Sequence, residues 1–137
     1  MPEEKETTLS GMARKKILIV DDEEDILEII RFHLEKEGYG LACVTSGEEA
    51  LERARSMHPD LILLDWMMPG KDGLQVLSEL KHDETTMGIP VFMLTAKSMM
   101  AEVGRALYEG ADDYITKPFD VVELGQILKE KLEKAKA

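Results

Sequence analysis

The middle of the chain contains the stretch Asp60-Leu-Ile-Leu-Leu-Asp65-Trp-Met-Met-Pro-Gly-Lys-Asp-Gly73, in which four apolar residues end on a carboxylate. A short run of Leu and Ile between turn signals is typical of a strand buried on both faces of a parallel sheet. Asp65 is then the first residue beyond the carboxyl end of that strand. Because ligands of open α/β sheets bind at this edge, Asp65 is a candidate functional residue.

The composition indicates one soluble globular domain. A chain of 137 residues is long enough to bury a core without disulfides or metals. Charged residues make up 33% and apolar residues 44%, and no apolar run approaches the roughly 20 residues that cross a bilayer. The start, Met1-Pro-Glu-Glu-Lys, lacks the apolar segment of a signal peptide. We therefore expect a cytoplasmic location and no membrane contact.

The formal net charge of −11 argues against direct binding of nucleic acid or anionic lipid. Contacts with phosphate groups need clustered Lys and Arg, which this composition does not favour. The single cysteine, Cys43, cannot form an internal disulfide and lies in an apolar stretch. We interpret it as a packed thiol within a strand.

Residues 1–14 are polar, mixed in charge and without periodicity, which predicts a disordered N-terminal tail. Strands are expected at Lys15–Val20, Leu41–Val44, Leu61–Leu64, Ile89–Leu94 and Tyr114–Ile115. Helices are expected from Ile26 to about Leu34, from Ser46 to before Pro59, from about Leu74 to Lys81, from about Met99 to Glu109, and after the cap residue Asp120. Five alternating strand–helix units predict a single doubly wound α/β domain, with a parallel sheet between two helix layers.

Five consecutive acids follow the first strand. The helix macrodipole favours Glu23, Glu24 and Asp25 in a first helical turn. Asp21 and Asp22 lie at the strand end instead, where one acid would suffice as a cap. The apolar stripe of this first helix is expected to contain Ile26, Ile29, Ile30, His33 and Leu34.

Polar side chains follow four of the expected strands. Asp21 and Asp22 follow the first strand, Asp65 the third, Thr95 the fourth and Lys117 the fifth. Parallel strands bring all these ends to one edge of the sheet. Three carboxylates there cannot all stay ionised without compensation, because like charges a few ångströms apart repel strongly. A bound cation is the simplest remedy.

This set of side chains suits phosphoryl chemistry. Carboxylates are hard oxygen ligands, which fit Mg²⁺ completed by a phosphate oxygen. Lys117 can pair with Asp65 at rest and with a phosphoryl oxygen later, and the Thr95 hydroxyl can donate to the same group. A carboxylate can act as a nucleophile and form an acyl phosphate. Because Asp65 is central among these groups, we predict that it is the phosphoacceptor.

From Lys15 to about Lys134 the chain resembles the receiver domain of response regulators in two-component signalling. The matching motifs are Ile-Leu-Ile-Val-Asp21-Asp22-Glu, Leu-Ile-Leu-Leu-Asp65-x-Met-Met-Pro-Gly-x-Asp-Gly73, Met-Leu-Thr95-Ala96 and Gly110-Ala-Asp-Asp-Tyr114-Ile-Thr-Lys117-Pro118-Phe119. Each motif alone is a weak signal, but together, in order and with the family's spacing, they are specific. The resemblance implies a receiver domain over residues 15–134. Its expected fold is a flavodoxin-like (βα)5 three-layer sandwich with strand order 2-1-3-4-5.

The resemblance also assigns roles to residues of the sheet edge. It implies that Asp22 and Asp65 bind Mg²⁺ directly, together with the backbone carbonyl of Met67. Asp21 acts through a metal-bound water in similar proteins, and Lys117 contacts the phosphoryl group.

Further roles concern the switch that the phosphoryl group operates. In similar proteins the bond before Pro118 is cis, and a small residue such as Ala96 leaves the phosphoryl group room. Thr95 moves toward the phosphoryl oxygen, and the aromatic residue at the position of Tyr114 rotates into the vacated space. New charge-assisted hydrogen bonds thereby bias a two-state element, and the surface of the fourth helix, fifth strand and fifth helix changes shape.

The resemblance implies protein partners rather than small-molecule substrates. A sensor histidine kinase or a phosphotransfer protein would donate the phosphoryl group, and a downstream protein would bind the changed surface. We favour a stand-alone receiver, like a chemotaxis regulator, over a domain of a longer regulator. Since Val103 and Tyr108 interrupt the charge pattern through which related receivers pair, we expect a monomer or a weak phosphorylation-dependent dimer. Such a domain promotes only its own phosphorylation and dephosphorylation.

Two positions often tune dephosphorylation in such domains, here Met67 and Lys97. A thioether cannot orient an attacking water as an amide could, so we hypothesise slow self-hydrolysis of the phosphorylated form. Trp66, directly after Asp65, is expected to be partly exposed at the site.

Two other functions use related chemistry or a related fold. A phosphatase or phosphotransferase of the haloacid dehalogenase type also has an aspartate nucleophile and Mg²⁺, but needs a second acid two residues later, where this chain has Met67. A flavodoxin-like electron carrier cradles the flavin phosphate in a Ser/Thr/Gly-rich loop after the first strand. Asp21 and Asp22 in that loop would repel a phosphate monoester.

Overall fold

A computed structural model describes residues 15–68 and 70–136, without the side chains of residues 97, 135 and 136. The predicted disordered tail, residues 1–14, lies outside the described residues. The strands are Lys16–Val20 (β1), Gly40–Val44 (β2), Leu61–Asp65 (β3), Val91–Ala96 (β4) and Asp113–Lys117 (β5). The α-helices are Glu24–Lys36 (α1), Gly47–Met57 (α2), Gly73–Lys81 (α3), Val103–Tyr108 (α4) and Val121–Lys136 (α5), and a 3₁₀ helix spans Lys97–Glu102.

All five strands pair in parallel, in the order β2-β1-β3-β4-β5. This confirms the predicted doubly wound α/β sheet. Because successive side chains of a strand point to opposite faces, the buried part of β1 sends Ile17 and Ile19 to one side and Leu18 and Val20 to the other. A strand apolar on both faces needs a helix layer on each side.

The two helix layers bury separate cores on the two faces of the sheet. One face carries α2, α3 and α4, whose buried side chains include Ala54, Leu77 and Ala106. The other face carries α1 and α5, which contribute Leu34 and Leu128. Because all five strands are parallel, their carboxyl ends lie at one edge of the sheet, between the two layers.

Two predicted helix caps are confirmed by hydrogen bonds. The Ser46 hydroxyl accepts the backbone N–H of Glu49 at 3.2 Å, at the start of α2. An Asp120 carboxylate oxygen accepts the N–H of Val122 at 2.9 Å, at the start of α5. Each cap satisfies a donor that the first helical turn leaves free.

The buried face of α1 differs from the predicted stripe. Leu27, Ile30 and Leu34 face the core, whereas Ile29 is 47% exposed and His33 is half-buried. Both series fit a 3.6-residue period, so periodicity alone leaves the rotation of the helix open by one residue. Packing against α5 and the sheet selects the series that contains Leu27.

Several element boundaries also differ from prediction. β4 begins at Val91 rather than Ile89, because Pro90 has no N–H for the ladder and contributes only its carbonyl, to the N–H of Ile62. The segment predicted as the fourth helix begins within the 3₁₀ helix, and only its second part, α4, is α-helical. No side chain caps either segment, and 3₁₀ geometry is common at such helix starts.

Within the described residues, no helix is both long enough and apolar enough to cross a lipid bilayer.

Candidate functional site

The carboxyl ends of the central strands bring the predicted site residues together. Asp65 is the last residue of β3 rather than the first beyond it, and Asp21 directly follows β1. Val20 pairs with Leu64, so these two acids stand side by side at the sheet edge. Lys117 ends β5, two strands away from β3, and its side chain reaches back toward them.

Asp21, Asp22 and Asp65 form a carboxylate cluster. Each offers one oxygen, and the three oxygens lie within 4.8 Å of one another. Asp21 is fully buried and Asp65 is 5% exposed, whereas Asp22 faces solvent. All three candidate ligand atoms are hard carboxylate oxygens, a donor type that suits Mg²⁺.

Among the described side chains, Lys117 is the cation within reach of this cluster. Its Nζ donates to Asp21 Oδ2 at 2.8 Å and lies 3.6 Å from Asp65 Oδ1. The other Asp21 oxygen accepts the N–H of Glu23 at 2.9 Å, so both oxygens of this buried carboxylate have a donor. At rest, therefore, Lys117 is closer to Asp21 than to Asp65.

The pKa of Asp65 is raised to about 7. Burial is the main cause, and the charge of Asp21 adds to it, while Lys117 and the backbone N–H of Met67 act in the opposite direction. Burial lowers the pKa of Lys117, but its hydrogen bond to Asp21 and the surrounding carboxylates outweigh burial and leave this pKa above its ordinary value. One lysine does not compensate three carboxylates, so the site fits a further cation.

Of the predicted switch residues, Thr95 lies near the end of β4, and Tyr114 lies three residues before Lys117 on β5, paired with Met93. Thr95 is buried, and its hydroxyl donates to the carbonyl of Ala96 at 3.3 Å. Tyr114 is half-buried and packs against the core beneath α4. The peptide bond between Lys117 and Pro118 is cis.

The two positions predicted to tune dephosphorylation follow β3 and β4 in the chain. The Met67 side chain is exposed beside Asp65. Lys97 begins the 3₁₀ helix after β4, and its side chain lies outside the described part of the chain.

The prediction for Trp66 is wrong, because its side chain is only 5% exposed. The alternation of β3 continues one residue past the strand, so Trp66 shares the core face of Ile62 and Leu64. Its N–H also extends the β3–β4 ladder, donating to the carbonyl of Leu94 at 3.1 Å.

A sequence model of the family described as "Response regulator receiver domain" matches residues 17–129. The chain belongs to this family. The receiver is 40% identical over 121 residues to the phosphate regulon transcriptional regulatory protein PhoB of Rhizobium meliloti (strain 1021). It is 42% identical over 121 residues to the alkaline phosphatase synthesis transcriptional regulatory protein PhoP of Bacillus subtilis (strain 168). Each alignment covers 88% of this chain but 53% of PhoB and 50% of PhoP, so the chain spans about half their length.

Solved structures agree with this membership. The chemotaxis response regulator CheY4 of Vibrio cholerae superposes with a TM-score of 0.81 at 26% identity, covering 87% of this chain and 99% of CheY4. The receiver domain of NtrX from Brucella abortus gives a TM-score of 0.77 at 32% identity, covering 85% of this chain and 98% of that domain. These matches confirm the flavodoxin-like receiver fold, and they do not favour the haloacid dehalogenase alternative.

Two groups of contacts around the receiver site were not predicted. Glu23, interpreted from sequence only as a residue of a helical first turn, places Oε1 3.5 Å from Lys117 Nζ. Its position directly after Asp22 was a usable signal. Lys131 of α5 contacts Asp113 and the ring of Tyr114, and no local pattern in the sequence indicates this long-range contact.

Gly73 fixes the distance between α3 and the end of β3. Its N–H donates to the carbonyl of Trp66 at 2.9 Å. A Cβ at position 73 would collide with the backbone carbonyl of Asp65 and lie 2.7 Å from the Cα of Trp66. Any side chain here must therefore push apart the two elements that position Asp65.

We expect Gly73→Ala to lower the free energy of unfolding by about 2 kcal/mol, as overpacking against backbone does. Gly104→Ala is the matched control, since a Cβ there meets nothing within 4 Å and lies in α4. The free energy of unfolding of Gly104→Ala is expected to rise by roughly 0.5 kcal/mol, because alanine restricts the unfolded chain more than glycine does. Urea unfolding of both variants measures the difference, and equal effects would contradict the close approach.

Proposed function

We propose that Asp65 accepts a phosphoryl group from the phosphohistidine of a sensor histidine kinase or phosphotransfer protein, in a Mg²⁺-dependent reaction. The observation that carries the proposal is the convergence of Asp21, Asp22 and Lys117 on a nearly buried Asp65. Burial and the neighbouring acids disfavour the ionised form of Asp65, and a bound cation would stabilise it. A carboxylate ionised in this way can act as the phosphoryl acceptor.

The proposed metal ligands are those that the resemblance to receiver domains implies, and the Asp21, Asp22 and Asp65 cluster supports them. Asp22 and Asp65 would hold Mg²⁺ directly, together with the backbone carbonyl of Met67, and Asp21 would act through a water. When bound, Mg²⁺ supplies the positive charge that keeps Asp65 ionised and that neutralises the phosphoryl oxygens.

The transfer forms one bond and breaks one. An ionised Asp65 oxygen attacks the phosphorus while the bond from phosphorus to the donor imidazole nitrogen breaks. The electron pair of that bond stays on the imidazole nitrogen, and the ring leaves as neutral imidazole because its other nitrogen carries a proton. Lys117, 3.6 Å from Asp65 Oδ1, can donate to a phosphoryl oxygen, and the small Ala96 leaves that oxygen space.

The proposed readout starts at Thr95. Its hydroxyl now donates to a backbone carbonyl and can turn to a phosphoryl oxygen, which is the stronger, charged acceptor. Tyr114 then rotates toward the space that Thr95 leaves. We define the output face as the exposed surface of α4, β5 and α5.

A downstream protein is the proposed ligand of the output face. Leu107 and Tyr108 of α4 are exposed there, and Tyr108 is 89% exposed. Exposed aromatic and aliphatic side chains of this kind are the usual anchors of protein interfaces. A monomer or a weak phosphorylation-dependent dimer fits this proposal, with no direct nucleic-acid contact from a domain of this charge.

Incubation of the purified chain with acetyl phosphate and Mg²⁺, followed by intact mass spectrometry, tests the chemistry. We expect the mass of one phosphoryl group to be added to the native protein and none to Asp65→Asn. Asp25→Asn is the control, because it removes an exposed carboxylate from the first turn of α1, three residues after Asp22 in the chain. Phosphorylation of Asp65→Asn, or dependence on Asp25, would contradict the assignment of the acceptor.

The same mass measurement, continued after the phosphodonor is removed, gives the rate of self-hydrolysis, which the tuning positions are proposed to control. With Met67 and Lys97 at those positions, we propose slow self-hydrolysis. A phosphoryl group that disappears within seconds would contradict it.

A further inference from the structure

Lys131 links α5 to the strand that carries Tyr114. Its Nζ donates to Asp113 Oδ1 at 3.0 Å and lies 5.9 Å from the centroid of the Tyr114 ring. The same Asp113 oxygen accepts the backbone N–H of Tyr114 at 2.8 Å. One Asp113 oxygen thus accepts hydrogen bonds from both the Lys131 ammonium and the Tyr114 backbone, and the same ammonium faces the Tyr114 ring.

The two contacts of Lys131 respond differently to a movement of the Tyr114 side chain. Asp113 is bound to the Tyr114 backbone, so the ion pair persists whichever way the ring points. The cation–π contact depends on the ring position and is lost when the ring turns away. Only this second contact distinguishes two ring orientations, and only a distinguishing contact biases a two-state equilibrium.

The surroundings favour a measurable effect. Asp113 and Lys131 are each largely shielded from solvent at the edge of the sheet, which reduces screening of the charge. The Tyr114 ring also packs against the core that contains Met93 and Ala106. The ring therefore contacts both an apolar core and the Lys131 ammonium.

We propose that Lys131 is a positioning residue that holds the Tyr114 ring in its unphosphorylated orientation and so opposes the switch. This inference rests on the proposed function, because it concerns the regulation of the same site. A cation–π contact of this kind is worth about 0.5–1 kcal/mol, so its loss should shift the ring equilibrium toward the phosphorylated orientation by about threefold. Coupling is reciprocal, so phosphorylation should also release Lys131 from the ring.

Fluorine NMR of protein labelled with 3-fluorotyrosine reports the ring directly. The chain has three tyrosines, Tyr39, Tyr108 and Tyr114, which single Tyr→Phe variants assign. Without a phosphodonor, Lys131→Gln should move the Tyr114 resonance toward its position in the phosphorylated native protein. The resonances of the other two tyrosines should stay in place.

Two further variants separate ring contact from a general effect of charge. Lys131→Arg keeps a cation that stacks on aromatic faces, and it should restore the native Tyr114 resonance. Lys134→Gln removes an exposed charge one turn along α5, and it should leave the resonance unchanged. A Tyr114 resonance that moves equally in Lys131→Gln and Lys134→Gln would overturn the proposal.

Acetyl phosphate and Mg²⁺ distinguish this inference from the proposed function. If the native protein gains a phosphoryl group but Lys131→Gln keeps the native resting resonance, Lys131 does not hold the ring and Asp65 remains the acceptor. If the native protein gains no phosphoryl group, the proposed function fails and the regulatory role of Lys131 falls with it. The resonance of Lys131→Gln then still decides whether the ring contact exists.

Discussion

Lys117→Gln is expected to lower the free energy of unfolding by about 3 kcal/mol at pH 8 without divalent cations, as removal of one partner from a buried ion pair does. The variant leaves Asp21, which is fully buried, without its hydrogen-bonded cation. It also removes the positive charge that partly offsets the burial of Asp65. Two buried acids then face each other without the Lys117 ammonium.

The loss should depend on pH in a definite direction. The pKa of Asp65 is about 7 in the native protein, and Lys117 opposes this rise, so the variant raises it further. At pH 5.5 the Asp65 carboxyl is mostly neutral in both proteins, and only the contact with Asp21 is lost. We therefore expect a smaller difference between native protein and variant at pH 5.5 than at pH 8.

Urea unfolding in the presence of a chelator, at both pH values, measures this difference. Lys129→Gln is the matched control, since Lys129 is an exposed lysine of α5 and the net charge changes equally. A loss of the same size in both variants, or one independent of pH, would mean that Lys117 does not compensate the buried acids.

The sheet and the positions of its acids could be predicted from the sequence. Runs such as Ile17–Val20 and Leu61–Leu64 are apolar at every position, which only a strand covered on both faces requires. Once the strands are parallel, their carboxyl ends share one edge, so residues far apart in sequence, such as Asp21 and Lys117, must approach each other. The convergence of the site is a consequence of topology rather than of local pattern.

Side-chain choices among close alternatives could not be predicted. Lys117 has three carboxylates within 3.6 Å, and which of them its ammonium meets first is decided by rotamers and burial. The burial of Trp66 depends on how far the β3 alternation continues past the last paired residue. Rotation of α1, which buries Leu27 and exposes Ile29, is set by α5, almost a hundred residues later along the chain.

Asp65→Asn is expected to raise the free energy of unfolding by about 2 kcal/mol at pH 8 without divalent cations, although it abolishes the proposed phosphorylation. In the folded protein the pKa of Asp65 is about 7, above its ordinary value of 3.8, mainly because of burial and next because of Asp21. The folded state therefore holds this proton more tightly than the unfolded state. As the pH rises from about 4 to 7, ionisation of Asp65 progressively destabilises the fold.

The neutral amide removes this penalty, so the advantage of Asp65→Asn should be absent near pH 4 and fully present above pH 7. Other carboxylates give the native protein its own pH dependence, and the difference between variant and native protein isolates Asp65. Asp25→Asn, an exposed acid of α1, should show no such pH-dependent gain. A constant difference across the pH range would contradict the raised pKa.

Mg²⁺ should reverse the order of stability. It binds the folded native protein and stabilises it by mass action, whereas Asp65→Asn has lost one ionised ligand and should gain less. The Asp65 carboxylate therefore destabilises the folded protein without Mg²⁺. With Mg²⁺ it is a proposed metal ligand, and metal binding stabilises the folded protein. If added Mg²⁺ stabilised both proteins equally, Asp65 would not be a metal ligand. The destabilisation caused by its ionised carboxylate would then have no connection with the proposed chemistry.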